Sequence, residues 1–225
     1  MGAAAPSEVV MLVACWSSKG GAGTTVVAAS LALVLGRRSP GGALLVDLAG
    51  DAPAALGLPE PDGPGLAGWL DAGAAVPADA LGRLEIVAAP DLAVLPRGGG
   101  DLCPERAAVL AALLASDARA VVVDCGVAPD GAALTLAASA TRSVLVTRAC
   151  FLSLRRALTA PLRPSEVVLL VEPGRSLGRH DVEDCIGAPV VAEIAVDPAV
   201  ARAVDAGLLA ARLPRALARE LSRAA

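Results

Sequence analysis

The side chains best placed to do chemistry lie in residues 15–30, CWSSKGGAGTTVVAAS. Glycines at 20, 21 and 23, with Ala22 between them, let backbone N–H groups converge on one anion without side chains in the way. Thr24 and Thr25 then open an apolar run of helical length, whose positive end faces the same spot. Thr25 occupies the place from which a hydroxyl coordinates Mg²⁺. The chemistry on offer is phosphate binding. Where such a loop normally carries its lysine this chain has Thr24, and Lys19 stands upstream of the glycines instead. A Gly-rich strand-to-helix turn with no ligand has the same local pattern, so the loop alone leaves both readings open.

Composition favours the functional one. Lys19 is the single lysine among 19 basic residues, and the chain has no Asn, Gln or Tyr. A bias of that kind reflects drift toward GC-rich codons. One lysine retained inside a Gly-rich loop, in a chain that uses arginine everywhere else, is there for its compact charge on a flexible stem.

Two acids belong with the loop. AVVVDCG places Asp124 after four apolar residues, at the carboxyl end of a strand, where it would hold a Mg²⁺-bound water beside the phosphates. An ordinary strand-ending aspartate that caps a helix is the plainer alternative. LLVDLAGDAP, residues 44–53, carries Asp47, with Ala49 and Asp51 following.

The elements that must position these groups alternate along the chain. Apolar runs predict strands at Val9–Ala14, Ala43–Asp47, Leu84–Val87, Leu92–Leu95, Ala120–Asp124, Ser143–Thr147, Glu166–Val171 and Val190–Ile194. Helices are predicted at Thr24–Leu35, Pro104–Ala115, Asp130–Ala138, Leu152–Leu158, Gly178–Cys185, Pro198–Ala206 and Leu213–Arg223. Strands apolar throughout, rather than alternating, are those buried on both faces of a parallel sheet. The expectation is therefore α/β: one three-layer doubly wound domain over residues 1–225 with a mainly parallel sheet. Residues 1–7 are expected to be disordered, 50–68 to form a long surface loop, and 212–225 to hold a C-terminal helix. Trp69 is placed in that surface excursion, as a loop anchor or a partner contact.

Taken together, K-G-G-x-G-x-T-T after a buried strand resembles the deviant Walker A loop of the MinD/ParA family of P-loop ATPases. The resemblance implies ATP or ADP with Mg²⁺ as ligands, and Lys19 as the lysine that reaches a partner's phosphates across a nucleotide-sandwich homodimer. It assigns the phosphate cradle to Lys19, Gly20, Gly21, Ala22, Gly23, Thr24 and Thr25, and the metal to Thr25 and Asp124. Lys19, Asp47 and Asp124 would be the catalytic set, Asp124 matching Walker B and Asp47 the first acid of switch I. The second switch acid is replaced by Ala49, and Asp51 is its nearest substitute. The small residue at Thr24 resembles the CpaE/TadZ-like branch of pilus assembly. Where the family uses Asn for the base, this chain has Glu172. Losing a positioned cation costs about 10²–10³ in rate, so the expectation is a nucleotide-binding protein with weak or absent hydrolysis. An active partition or septum-placement ATPase and a nucleotide-free scaffold are the alternatives.

Other features set limits. A net charge of −4 disfavours a whole-surface nucleic-acid binder, leaving only Arg155 and Arg156 as a candidate DNA patch. Five cysteines without a C-x-x-C pair suit reduced thiols. The N-terminal apolar run is too short for a signal or a span, so a cytoplasmic protein is expected, peripheral at a membrane or cell pole at most. The partner would belong to a cell-pole, pilus or division machinery. Arg212, Arg215, Arg219 and Arg223 flank Leu213, Leu217 and Leu221 on a C-terminal stretch that could touch lipid but is better suited to packing on the domain. His180, the only histidine, reads as a solvated or capping residue.

Overall fold

The computed structural model of the chain describes residues 11–73 and 76–225. The expectation for residues 1–7 lies outside them.

Eight strands form one sheet: β1 (Leu12–Ser17), β2 (Ala43–Asp47), β3 (Ile86–Ala89), β4 (Leu92–Leu95), β5 (Ala120–Val127), β6 (Arg142–Arg148), β7 (Glu166–Val171) and β8 (Val190–Ala195). Their order is β3-β4-β2-β5-β1-β6-β7-β8, parallel except for β3, which pairs antiparallel with β4. The helices are α1 (Thr24–Gly36), α2 (Ala52–Leu56), α3 (Gly65–Asp71), α4 (Ala107–Ala115), α5 (Gly131–Ser139), α6 (Phe151–Leu158), α7 (Arg179–Ile186), α8 (Pro198–Asp205) and α9 (Arg215–Ala224).

The predicted three-layer architecture is what the chain adopts. Alternate residues of each central strand feed opposite cores. Leu12, Ala14 and Trp16 of β1 pack with α3, α4, α5, α6 and α7, whereas Val13 and Cys15 pack with α1, α2 and α9. Both faces are covered, which is why β1, β2 and β5 read as unbroken apolar runs. From Val27 to Gly36 every residue of α1 is buried. At Gly36 that packing leaves no room for a side chain, since a Cβ would sit 2.3 Å from the carbonyl oxygen of Asp91. Among the described residues no helix is long and apolar enough to cross a membrane.

Two departures from the expected elements stand out among smaller shifts of boundary. β1 runs on to Ser17 rather than ending at Ala14, and Trp16 is wholly buried, its indole N–H donating to the Ser143 hydroxyl at 3.0 Å. The second change is larger. Residues 50–68 are not one continuous surface loop: they contain α2 and the start of α3 and bury Ala52, Leu56 and Leu66, with only residues 57–64 left as an exposed connection. Trp69 is correspondingly a core residue, with the Arg106 guanidinium stacked 3.7 Å over its ring. The Pro and Gly there start and stop short helices instead of preventing them: Pro53 sits in the first turn of α2 and Gly57 ends it in the left-handed region.

The C-terminal helix forms as expected. Leu217, Leu221 and Ala224 of α9 are buried against the core that contains α1, and the arginines Arg215, Arg219 and Arg223 face solvent. All five cysteines are free thiols.

Candidate functional site

β1 ends in the sheet's centre, where the neighbouring crossovers run to opposite faces, and the chain then turns through residues 18–23 into α1. Such a point of divergence leaves a crevice outside the carboxyl ends of the strands. Gly21 and Gly23 have φ of 74° and 76°, the left-handed region that a side chain disfavours. A Cβ added at Gly20 or Gly21 would meet nothing within 4 Å, so the backbone there borders open space. Gly23 caps α1, its carbonyl accepting the Val27 N–H at 2.9 Å, and no side chain takes the free N–H groups of the first turn. The loop is anchored from below. Ser18 donates its hydroxyl to the Ser153 carbonyl at 2.8 Å, and the Ala128 N–H donates to the Ser17 carbonyl at 2.7 Å.

Residues 21–26 form one wall of a cleft of about 740 Å³. Leu48, Ala49 and Asp51 contribute another wall, Arg97 and Asp101 a third, and residues 125–133 close the remainder. Thr24 and Thr25 both line it, Thr24 nearly buried and Thr25 half-buried.

Asp47, the last residue of β2, and Asp124, within β5, lie directly opposite one another in parallel register, and both are wholly buried. They differ in how they are satisfied. Asp47 accepts the Gly50 N–H at 2.7 Å on one oxygen and the Ala52 N–H at 3.1 Å on the other, which ties down the turn into α2. Burial pushes its pKa up against those two bonds. Asp124 accepts only the Gly126 N–H, at 3.1 Å on Oδ1, and its buried Oδ2 has no partner. Desolvation, with the Asp47 and Asp51 charges adding to it, raises the Asp124 pKa to about 6. The Thr25 hydroxyl is close enough to favour the carboxylate without making a well-formed bond to Oδ2.

That orphaned oxygen is the test of fit for a metal-bound phosphate group. A buried acceptor without a partner costs free energy unless something fills it, and here it lies beside a hydroxyl and an open backbone cradle. Among the described residues no three His, Cys, Asp or Glu side chains converge on a metal position. A hard cation would therefore take Thr25, Asp124, phosphate oxygens and water, the sparse protein contribution that suits Mg²⁺. The donor set fits.

Lys19 does not line the cleft. It is half-buried; against desolvation, hydrogen bonds from Ser153 lower the Cys150 pKa, and the Lys19 charge adds a smaller share there and, after Arg175 and Arg148, at Glu172. Glu172 follows β7 and is held by Arg175, at 2.8 Å from its Nε, and by Arg148. Those cations, Arg175 foremost, keep its carboxyl below the usual range. Beside it a second hollow of about 320 Å³ lies between α1 and α8, lined by Gly23, Val26, Leu170, Ile194, Val196 and Val200 with Arg148 at its edge. Gly23 joins the two hollows.

The sequence places Lys19, the glycines, Thr24, Thr25, Asp47 and Asp124 around one loop; of these Gly21, Ala22, Gly23, Thr24 and Thr25 line the cleft, Asp47 and Asp124 are buried in the adjoining strands, and Lys19 and Gly20 are not in its lining. What the sequence missed is Arg97, Asp101 and Asp130 on the cleft walls. No local pattern marks them, because they come from loops after β4 and β5 that only the tertiary fold brings opposite residues 21–25.

No protein-family model matches the chain, and no curated protein does. Solved structures do match in fold. A ParA family ATPase from Chlorobium tepidum superposes with a TM-score of 0.80 at 22% identity, covering 96% of this chain and 97% of that one. The septum site-determining protein MinD from Pyrococcus horikoshii, complexed with Mg-ADP, gives 0.77 at 20% identity, over 95% and 93%. A Cyanothece McdA variant in complex with ATP gives 0.71 at 19% identity, over 95% and 94%. The chain thus has the fold of the MinD/ParA P-loop proteins.

Proposed function

We propose that this chain is a MinD/ParA-like nucleotide-binding protein that closes into a homodimer around ATP and Mg²⁺ and acts as a positional or assembly factor. The observation that carries the reading is the unpartnered Asp124 oxygen beside Thr25, beneath an open glycine cradle at a helix start. Gly20, Gly21, Ala22, Gly23 and Thr24 would bind phosphate through backbone N–H groups, and Thr25 and Asp124 would hold the metal, directly or through water. When bound, Mg²⁺ neutralises charge on the bridged phosphates.

Several features favour slow hydrolysis. Thr24 brings no cation to the loop. Ala49 brings no acid to the turn after β2. Asp47 has both oxygens committed to backbone N–H groups, so holding a water would require it to give one up. Lys19 does not line its own cleft, which suits a residue acting on a partner. Phe151 and Leu152, which follow Cys150 near that lysine, are exposed apolar side chains of the kind an interface would cover. The biological role we favour is pilus assembly, on the resemblance of the Thr24 loop.

Light scattering with and without Mg-ATP tests the dimer: the wild-type chain should double in mass and Lys19→Ala should not. A chain that stays monomeric with ATP sinks the sandwich. A second reading has one observation of its own. Asp51 is exposed and lines the cleft, where it could orient water in place of the missing acid. Phosphate release well above background, lost in Asp51→Ala, would establish an active ATPase instead. Calorimetry that detects neither ATP nor ADP binding would leave only the scaffold.

A further inference from the structure

Arg97 is the only basic side chain among the described residues lining the 740 Å³ cleft. Its surroundings are otherwise acidic: Asp51, Asp101 and Asp130 line the same walls, and Asp124 lies beneath. Several arginines elsewhere in the fold are engaged, while others, such as Arg37 and Arg212, lie exposed on the surface. Arg119 bonds Glu85 and Asp117, Arg142 bonds Glu166 and the Ala224 carbonyl, and Arg106 bonds the Trp69 carbonyl. The Arg97 guanidinium has no hydrogen-bond or ion-pair partner among the described residues, although three carboxylates share its cleft.

Its backbone, in contrast, is fixed. The Leu66 N–H donates to the Pro96 carbonyl at 2.9 Å, and the Ala67 N–H donates to the Arg97 carbonyl at 2.8 Å. Next to it Gly98 and Gly65, both at positive φ, pack backbone to backbone: a Cβ on Gly98 would lie 2.2 Å from the Pro64 carbonyl oxygen. The side-chain stem passes over the turn held by Asp47, its Cδ 3.5 Å from where a Cβ of Gly50 would be. A fixed backbone carrying a free planar head is what a bidentate anion contact requires.

We propose that Arg97 is a phosphate-binding residue that supplies, from the wall opposite the glycine loop, the positive charge absent at Thr24, and that it selects nucleoside triphosphate over diphosphate. The proposal rests on the nucleotide reading above. The glycine loop and α1 serve whichever phosphates lie nearest the backbone. The far wall meets only a chain long enough to reach it, and an acidic wall without Arg97 would repel that chain. The extra charge-assisted contact gives Arg97 a bias that a surface arginine would not have.

Isothermal calorimetry with Mg-ATP and Mg-ADP on the wild type, Arg97→Ala, Arg97→Lys and, as a surface control, Arg83→Ala tests it. Arg97→Ala should weaken ATP about tenfold or more while changing ADP less than about threefold, with Arg97→Lys between. Arg83→Ala should match the wild type. Unchanged ATP affinity in Arg97→Ala, or equal losses for ATP and ADP, overturns the proposal while leaving nucleotide binding intact. A wild type that binds neither nucleotide overturns both. Melting curves of the apo proteins report folding; if Arg97→Ala unfolds, Arg97→Lys keeps the stem, and its ATP-to-ADP ratio decides.

Discussion

The phosphate loop separates two hollows built on different principles. Over β2, β5 and β1 the cleft is wide and polar, its floor made of buried carboxylates and its walls of loop backbone. Over β7 and β8 the groove is half the volume and apolar, filled in from α1, α8 and α9 by Val26, Val200, Val204 and Leu217. The first holds unsatisfied polar capacity, namely Asp124 Oδ2, the free N–H groups of α1 and the Arg97 head. The second has fewer polar groups, with Asp197 taken by the Ala199 N–H and Arg148 bonded to Glu172 through Nη1, although the buried Arg148 Nε has no partner. Unsatisfied capacity is what a charged ligand needs, and apolar closure is what holds a domain together. One side is poised for chemistry at a cost to stability, and the other supplies the stability.

The largest expected effect breaks the stabilising side. Leu221 of α9 is wholly buried in the core shared with α1 and the late strands. Leu221→Ala should cost about 3 kcal/mol of unfolding free energy by urea denaturation, from lost burial plus the cavity left behind. A loss under about 1 kcal/mol would mean that α9 is only loosely docked, and would reopen the lipid-facing alternative for its arginines.

A smaller effect of opposite sign is expected at the polar floor. The Asp124 pKa is raised to about 6 from 3.8, so the folded chain without ligand holds this proton more tightly than the unfolded chain does. Its contribution to stability is full below about pH 4 and is lost as pH rises through about 6. Asp124→Asn removes that penalty, which is at most about 3 kcal/mol. Finding acceptors for the new amide offsets part of the gain, leaving about 1–2 kcal/mol at pH 8. Urea titrations should show variant and parent converging near pH 4 and separating above pH 6, while Mg-ATP affinity falls at least about tenfold. A destabilised variant at pH 8 would show that Asp124 is structural rather than held ready for a cation.

The two sides also differ in how much of them could be read from residues alone. The glycine loop was legible because its determinants are consecutive: three glycines, two threonines and one lysine between a strand and a helix. Asp47 and Asp124 were legible because each ends an apolar run, and parallel registry then puts them side by side. The region from 50 to 71 was not. Helices of five and seven residues are too short to show a period, and Ala52, Leu56, Leu66 and Trp69 are buried by partners far away in sequence. Arg97 was invisible for a related reason, since one arginine in PRGGGD carries no pattern until Gly65 and Gly98 bring its loop across from the phosphate turn. Lys19 was legible as special, but that it does not line its own cleft was not.

The smallest effect lies where the two hollows meet. Glu172 stands at the position that the family resemblance assigns to the base, yet its carboxylate is committed to Arg148 and Arg175, both more than a third exposed or nearly so. Ion pairs in that setting contribute little: Glu172→Gln should lower stability only slightly, and the loss should fade in about 1 M salt as screening sets in. A carboxylate already occupied by two guanidinium groups also has little left with which to choose between purines. The ratio of ATP to GTP affinity should therefore move by less than about threefold in Glu172→Gln, measured by calorimetry at one salt concentration. A larger change would put base recognition on Glu172 and make the apolar groove a chemically selective site, erasing the contrast between it and the cleft. An unchanged ratio would leave discrimination to the groove's shape and to backbone groups beyond β8.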